Sequence, residues 1–157
     1  MYGNTNRRDR PFLIANDMKR KEQELLLKDL CARLPYRVEA INSNGVKGAV
    51  VDINRTYSCV GILYDVAEGH VAITPITHVK PYLRPISDMT EDEKRKFDDF
   101  CVIDEDTFLG NSGGYANQAR IMDEGIDYLN SIHVDHRGLI ERGLAIAVTE
   151  ENNPCKV

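Results

Sequence analysis

Apolar residues recur at a helical spacing near the start of the chain. Four of them follow one another at i, i+3, i+4 and i+7: Leu27, Leu30, Cys31 and Leu34. This spacing places them on one face and predicts an amphipathic helix. Asn16 or Asp17 can cap the start of this helix. Pro35 ends it, because proline disfavours helical geometry at the residue before it.

The pattern then changes to a period of two residues, which is typical of half-buried strands. Apolar and charged residues alternate from Tyr36 to Ala40. Asn44-Gly45 follows, a strong signal for a tight hairpin in which both turn residues have positive φ. The return strand is predicted over 46–53, and further strands over 57–64 and 71–74. Three prolines then restrict the chain to short, edge-like strands: Pro75, Pro81 and Pro85.

Helical patterns dominate the second half of the chain. Thr90 and Glu93 have the spacing of a capping box, which predicts the start of a second helix. One face of this helix would carry Phe97, Phe100 and Cys101. A third helix is predicted over 116–132, with four residues facing inward: Met122, Ile126, Leu129 and Ile132. Alternation then predicts a final strand through Leu144, Ile146 and Val148.

These elements together predict an α+β fold, with about three helices and a small antiparallel sheet. Short strands joined by tight turns would also fit an SH3-like barrel. The length of 157 residues fits a single domain, 1–157. Within it, 1–15 and 149–157 are predicted to be loose tails. The segment 16–86 would hold a helix plus strands, and 87–148 would be mainly helical with a final strand.

The distribution of charge separates an N-terminal arm from the rest of the chain. The net charge is -5. Residues 1–35 hold 8 Lys and Arg against 5 Asp and Glu, whereas the remainder holds 12 against 20. An acidic body repels nucleic acid, so only the arm, with Arg7, Arg8 and Arg10, could bind phosphates.

The cysteines and the hydropathy pattern bear on the compartment. The four cysteines include no CxxC pair, which favours free thiols in a reducing compartment. The first residues are polar, and no apolar run approaches the roughly 20 residues of a membrane helix. The sequence therefore predicts a cytoplasmic protein.

Three segments resemble small proteins encoded by phages and prophages of gut Bacteroidales bacteria. They are LLLKDLCARLPY (25–36), VKPYLRPISDMTEDEK (79–94) and DYLNSIHVDHRGLIERGLA (127–145), together roughly a third of the chain. The resemblance implies a phage accessory protein in the cytoplasm of a bacterial host cell. It implies no particular chemistry.

Three motifs invite a chemical interpretation, but each has a simpler explanation. Gly110-Asn-Ser-Gly-Gly114 with His78 imitates a serine protease, yet the short chain between His78 and Ser112 cannot build two β-barrels. His133 and His136 would share a face if the third helix continued, but no further metal ligands stand nearby. The acidic residues from Asp98 to Asp106 lack the spacing of a calcium loop. We expect no metal and no cofactor.

Five residues form the candidate binding site: Arg84, Tyr82, His136, Arg137 and Arg142. Arg84 lies in a stretch stiffened by prolines, and the other two arginines bracket a turn that contains glycines. If the final strand pairs beside Arg84, these side chains would line one patch that binds carboxylates or phosphates. Alternatively, Arg137 bonds the C-terminus of its own helix or pairs with an acid at the edge of the core, and has a structural role.

The absence of a complete catalytic set favours a non-enzymatic module that binds a host or phage protein. A first alternative is a protein that sequesters a small anionic ligand, such as a nucleotide signal. A second is a weak nucleic-acid binder that uses the N-terminal arm. The sequence leaves the oligomeric state open.

Overall fold

A computed structural model describes residues 19–101 and 114–154, with the side chains of the second range described from 118 onward. Its helices are α1 (Arg20–Arg33), α2 (Glu91–Cys101) and α3 (Gly114–Ser131). Its strands are β1 (Glu39–Asn42), β2 (Lys47–Asn54), β3 (Cys59–Asp65), β4 (His70–Pro75), β5 (Val79–Leu83) and β6 (Ile146–Ala147). Short 3-10 turns lie at Leu34–Tyr36, Ile76–His78 and Ile86–Asp88.

The six strands form one sheet in the order β4-β3-β2-β1-β5-β6. All neighbouring strands are antiparallel except β5 and β6, which run parallel. The α+β fold with three helices and a mainly antiparallel sheet is therefore confirmed. The SH3-like arrangement stays a prediction.

The sheet curls so that β1 and β4 approach each other, although two strands separate them in the hydrogen-bonded order. Asn42 Nδ2, at the end of β1, donates a hydrogen bond to Thr74 Oγ1 on β4, with 3.2 Å between the atoms. Asn42 Oδ1 accepts hydrogen bonds from the backbone N–H groups of Asn44 and Val46, both at 3.0 Å. One asparagine thus links the two strands and shapes the turn that follows it.

The hairpin after β1 is present, but its turn differs from the predicted type. Gly45 has a φ of 80°, whereas Asn44 does not have positive φ. The Gly45 N–H donates to the carbonyl of Asn42 at 3.0 Å, and the Asn42 N–H donates to the carbonyl of Val46 at 3.0 Å. This is a three-residue loop that ends in a left-handed glycine, so only one turn position needs glycine-like geometry.

Helix α1 packs on the inner face of the sheet through Leu26 and Leu30, both fully buried. The predicted face of this helix was displaced, because Leu27, Cys31 and Leu34 are only partly buried. Two charged residues of α1, Asp29 and Arg33, are also fully buried. The main core consists of Leu26 and Leu30 with apolar residues of the sheet and of the turns near the C-terminus: Val38, Ala40, Val50, Val60, Ile62, Ile76, Val79, Leu83, Leu139, Leu144 and Ala145.

Helices α2 and α3 pack on each other around a smaller apolar cluster. Met89, Leu129 and Val134 form its centre, with Phe97 and Ile132 partly buried beside them. The predicted inward positions Met122 and Ile126 are wrong, because both are exposed. Cys101 is also exposed.

The contact between α2 and α3 explains why the inward face of α3 is displaced from the predicted one. Gly125 faces α2, and a Cβ atom at this position would meet the ring of Phe97 at 3.3 Å. Gly125 is buried at this contact, whereas the neighbouring Met122 and Ile126 are exposed. The capping box of α2 is confirmed, since the Thr90 N–H donates to Glu93 Oε2 at 2.9 Å and the Glu93 N–H donates to Thr90 Oγ1 at 3.2 Å.

The final strand lies where the alternation predicts it, although it is short. β6 pairs with β5 through Tyr82 opposite Ile146 and Leu83 opposite Ala147. After β6 the chain turns, because Asn152 Nδ2 donates to the carbonyl of Ala147 at 2.9 Å. None of the helices within 19–101 and 114–154 is long and apolar enough to cross a membrane.

Candidate functional site

The segment after α3 runs beside the end of β5, as the hypothesis of an arginine patch requires. The Arg84 N–H donates to the carbonyl of His133 at 2.9 Å, and the Asp135 N–H donates to the carbonyl of Arg84 at 2.8 Å. The backbone at Arg84 is thereby tied to the loop that carries His136 and Arg137. The side chains of the predicted residues nevertheless point to different partners.

The side chain of Arg84 forms an ion pair with an acidic residue of α2. Its Nη1 and Nη2 atoms donate to the two carboxylate oxygens of Glu93 at 2.8 and 2.9 Å, and Nη2 also donates to the carbonyl of Asp88 at 2.9 Å. The hydrogen bond from Arg84 lowers the pKa of Glu93 from 4.5 to about 2. Such a paired contact is among the stronger hydrogen-bonded interactions in proteins. In this arrangement Arg84 fastens the start of α2 to the end of β5.

We expect Arg84→Ala to lower the free energy of unfolding by about 1–3 kcal/mol, because the Glu93 carboxylate is left with the Thr90 N–H as its donor and the Asp88 carbonyl loses its guanidinium donor. The pKa of Glu93 is lower in the folded state than in the unfolded chain. The pair therefore stabilises the fold above pH 4.5, and this stability is lost as the pH falls toward about 2. Urea unfolding at pH 7 and at acid pH measures how far the free energy of unfolding falls on acidification. This decrease should be smaller for the variant than for the parent protein.

Arg95→Ala provides the matched control for this experiment. Arg95 lies on α2, the helix that carries Glu93, and pairs with Asp92 at 3.4 Å, but both side chains are largely exposed. Its loss should change stability little, since exposed ion pairs contribute little. Equal effects of the two substitutions would contradict the structural role of Arg84.

Arg137 belongs to a buried network of charges. Its Nη1 atom donates to Asp29 Oδ1 at 2.8 Å. Asp29 also accepts two hydrogen bonds from Arg33, at 2.8 and 3.1 Å, and Arg33 Nη2 donates to the carbonyl of Val134 at 2.8 Å. One carboxylate is thus shared by two guanidinium groups, and the network joins α1 to the loop after α3.

The Asp29–Arg33 pair was not predicted from the sequence, although a signal was present. Asp29 and Arg33 are four residues apart, the spacing at which side chains on a helix meet. Most such pairs lie on the solvent-exposed face of a helix, and the pattern of nearby leucines favoured that interpretation.

His136 lies beside this network and is held in a neutral form. Its Nε2 atom is 2.9 Å from Asn130 Oδ1 and 3.2 Å from Arg137 Nη1. Burial lowers the pKa of His136 to about 4, and the positive charges of Arg137 and Arg33 act in the same direction. A neutral imidazole adds no positive charge to an anion-binding patch at neutral pH.

His133 does not form a metal site with His136. α3 ends at Ser131, and His133 has a φ of 57°, so the helix does not continue and the two histidines do not share a helical face. Burial lowers the pKa of His133, and the charge of Arg33 acts in the same direction. Across the described ranges, no group of three or more His, Cys, Asp or Glu residues could hold a metal ion.

The two remaining candidates differ in exposure. Tyr82 is buried, with Lys47 Nζ 5.8 Å from the centre of its ring. Arg142 is exposed and has no ion pair in the part of the chain that the structure describes. A cavity of about 370 Å³ lies beside His136, but Glu141 is part of its lining. The five side chains therefore differ in partners and in exposure.

A different feature, the cleft beside β4, was not anticipated from the sequence. This cavity of about 470 Å³ lies between β4 and the turn that joins β1 to β2. Its lining includes the consecutive residues from Val71 to Pro75, along with Ser43, Asn44, Tyr64 and His78. One face of a strand would contribute only alternate residues. Five consecutive residues therefore indicate that the backbone edge of β4 lines the cavity, which we call the β4 cleft.

The hydrogen-bond pattern of the sheet determines which backbone groups this edge presents. The Ile76 N–H donates to the carbonyl of the opposite residue, Ser58, at 2.8 Å. Opposite residues in an antiparallel pair alternate between bonded and non-bonded. In the register of β3 and β4, Thr74 and Ala72 are therefore bonded to β3, whereas Ile73 and Val71 are not. The N–H and C=O groups of Val71 and Ile73 point toward the outer edge of β4, where no other strand of the described residues pairs.

The side chains of these two residues are also unusual for an edge strand. Ile73 is 66% exposed and Val71 is 41% exposed. Natural edge strands are commonly protected by lysine, proline or a bulge. In β4 the only proline is Pro75, at its last position, and the chain contains no Lys or Arg from Thr56 to Val79. β4 itself therefore carries no Lys or Arg, and its exposed side chains at Val71 and Ile73 are apolar.

Several predictions from the sequence concern residues outside the described ranges. These are the basic arm with Arg7, Arg8 and Arg10, the glycine-rich loop as far as Gly113, and the acidic residues from Asp104 to Asp106. Cys155 is also outside them.

Comparison of this chain with protein-family models, with curated proteins and with solved structures found no match.

Proposed function

We propose that the chain is a non-enzymatic protein-binding module that takes up an extended segment of a partner protein along the open edge of β4. A single observation carries the proposal: β4 lines the β4 cleft with unpaired backbone groups and with the exposed side chains of Val71 and Ile73. Addition of a strand to a sheet edge draws its affinity from backbone hydrogen bonds and its specificity from alternate side chains.

The alternative of a small anionic ligand has less support. Arg84 and Arg137 direct their guanidinium groups to Glu93 and Asp29, and His136 is neutral at ordinary pH. These residues have structural partners that an anion would have to displace. The resemblance to phage proteins motivates the further proposal that the partner is a host or phage protein in the bacterial cytoplasm.

A library of random peptides, panned against the purified protein, tests this function for a partner segment of any sequence. We expect the enriched peptides to bind the parent protein and to lose most of their affinity for Ile73→Lys. A lysine at this position places a charge and a long side chain on the edge, which is the device that natural edge strands use against pairing.

Ile86→Lys is the matched control, because Ile86 is also an exposed isoleucine, at 53%, and does not line the β4 cleft. Both variants should melt at nearly the temperature of the parent protein. Enriched peptides that bind both lysine variants equally well would show that the edge of β4 is not the binding site. A library that yields no specific peptide would argue against the module.

A further inference from the structure

We infer that the segment bound along β4 is basic, with apolar residues at alternate positions that lie opposite Val71 and Ile73. This inference rests on the proposed function, and it defines the chemistry of the partner. Three observations support it. They are the direction of the backbone groups of Val71 and Ile73, the residues on the two faces of the sheet beside β4, and the charge of the hairpin formed by β3 and β4.

The backbone groups determine the register of side chains in the partner. Val71 and Ile73 each present both an N–H and a C=O group, so each can form a hydrogen-bonded pair with one partner residue. Side chains of directly opposite residues lie on the same face of a sheet. The partner residues opposite Val71 and Ile73 therefore lie on the outer face, beside two apolar side chains.

The outer face favours apolar partner residues at these two positions. Leu63 lies opposite Val71 on β3, and Gly61 lies opposite Ile73. A Cβ atom at Gly61 would be 3.1 Å from Val71 Cγ1 and 3.1 Å from Asp52 Cβ, so the neighbouring side chains lean over the glycine. Apolar side chains of the partner would extend this surface by one strand.

The intervening partner residue would face the opposite side, where the lining of the β4 cleft includes polar residues. Thr74 lies there with its hydroxyl bonded to Asn42, and Ser43 and Asn44 line the opposite wall. A small polar residue such as threonine suits this position, because it can form hydrogen bonds where an apolar side chain would leave polar groups unsatisfied.

The charge around β4 selects a basic segment. The turn that precedes β4 carries Asp65 and Glu68, and the region from Thr56 to Val79 contains no Lys or Arg. Glu68 is exposed, whereas Asp65 accepts hydrogen bonds from the N–H groups of Ala67 and Glu68, both at 3.1 Å, and its Oδ2 atom lies 3.9 Å from His70 Nδ1. A second copy of this chain would bring the same acidic hairpin and a net charge of -5, so a basic partner complements the surface better.

Two blocked peptides test this chemistry: Lys-Lys-Val-Thr-Val-Lys-Lys and its counterpart with glutamate in place of every lysine. Basic residues at both ends make the test independent of strand direction. We expect the basic peptide to bind about tenfold more tightly at low salt, and we expect the difference to shrink at high salt. Titration followed by NMR measures both affinities.

Amide hydrogen exchange locates the bound peptide at the level of single residues. The amides of Val71 and Ile73 should exchange rapidly in the free protein and become protected when the basic peptide binds. The amides of Ala72 and Thr74 already donate to β3, so their protection should change little. Protection that fails to appear at Val71 and Ile73 would overturn the inference.

Charge reversal tests the acidic turn. Glu68→Lys should weaken binding of the basic peptide about fivefold or more. Glu124→Lys, at an exposed position of α3, should leave it unchanged. Equal affinities of the basic and acidic peptides, or equal effects of the two substitutions, would overturn the basic character of the partner. Protection of Val71 and Ile73 by both peptides would then still support strand addition at β4. Failure of the basic character of the partner can thus be distinguished from failure of the proposed function.

Discussion

Replacement of Arg33 by alanine is expected to lower the free energy of unfolding by about 3–5 kcal/mol. The Arg33 and Asp29 side chains are both fully buried, and their ion pair is 2.8 Å long. Among the described residues, removal of Arg33 leaves Asp29 with the single cation Arg137, and it removes one of two donors to the carbonyl of Val134, which keeps the N–H of His136. The cost is large because a buried carboxylate cannot recover these interactions from water.

Arg20→Ala is the matched control on the same helix. Arg20 pairs with Glu24 at the same i,i+4 spacing and at 3.0 Å, but its side chain is 92% exposed. Its loss should have little effect on stability, because water replaces the interaction. Urea unfolding of both variants at pH 7 measures the difference, and similar values for the two would show that the buried network does not stabilise the fold.

Substitution of Gly48 by alanine is expected to cost about 3 kcal/mol, because the added methyl group has no space. Its Cβ atom would overlap the carbonyl group of Leu63 on the neighbouring strand and would lie 3.0 Å from the Cα atom of Tyr64. These are backbone atoms, and they cannot move aside by a change of rotamer. The register of β3 is irregular at this point, between Leu63 and Asp65, where it passes β4.

Gly69→Ala separates this clash from the general effect of replacing a glycine. Gly69 has a φ of 70° but nothing within 4 Å of an added Cβ atom. Its substitution should cost only the conformational penalty, about 1 kcal/mol. Thermal and urea unfolding of both variants provide the comparison, and a Gly48 variant no less stable than the Gly69 variant would contradict the predicted clash.

Local elements of the fold were predictable from the sequence, because each depends on residues close together in the chain. The capping box of Thr90 and Glu93 is confirmed at the start of α2. The hairpin at Asn44-Gly45 also forms, although with a three-residue loop. In each case a short segment contains both the signal and the groups that satisfy it, so no distant contact is needed.

The inward faces of the helices were less predictable, because they depend on what packs against them. Met122 and Ile126 are apolar at helical spacing, yet both are exposed, and Gly125 is the residue of α3 that contacts Phe97. Asp29 and Arg33 are charged, yet they are buried because Arg137 and the loop after α3 provide partners from more than a hundred residues away. Hydrophobic periodicity cannot represent such long-range partners.

The sequence by itself determined the helices and most strands. It also determined that the hairpin of β3 and β4 is acidic and contains no Lys or Arg. Only the tertiary structure decided that β4 is the edge of the sheet and lines a cleft. It likewise decided that Arg84 and Arg137 face acids of the same chain. The physical reason is that strand order and ion pairing are set by contacts between distant segments. Periodicity and turn chemistry act instead within a few residues.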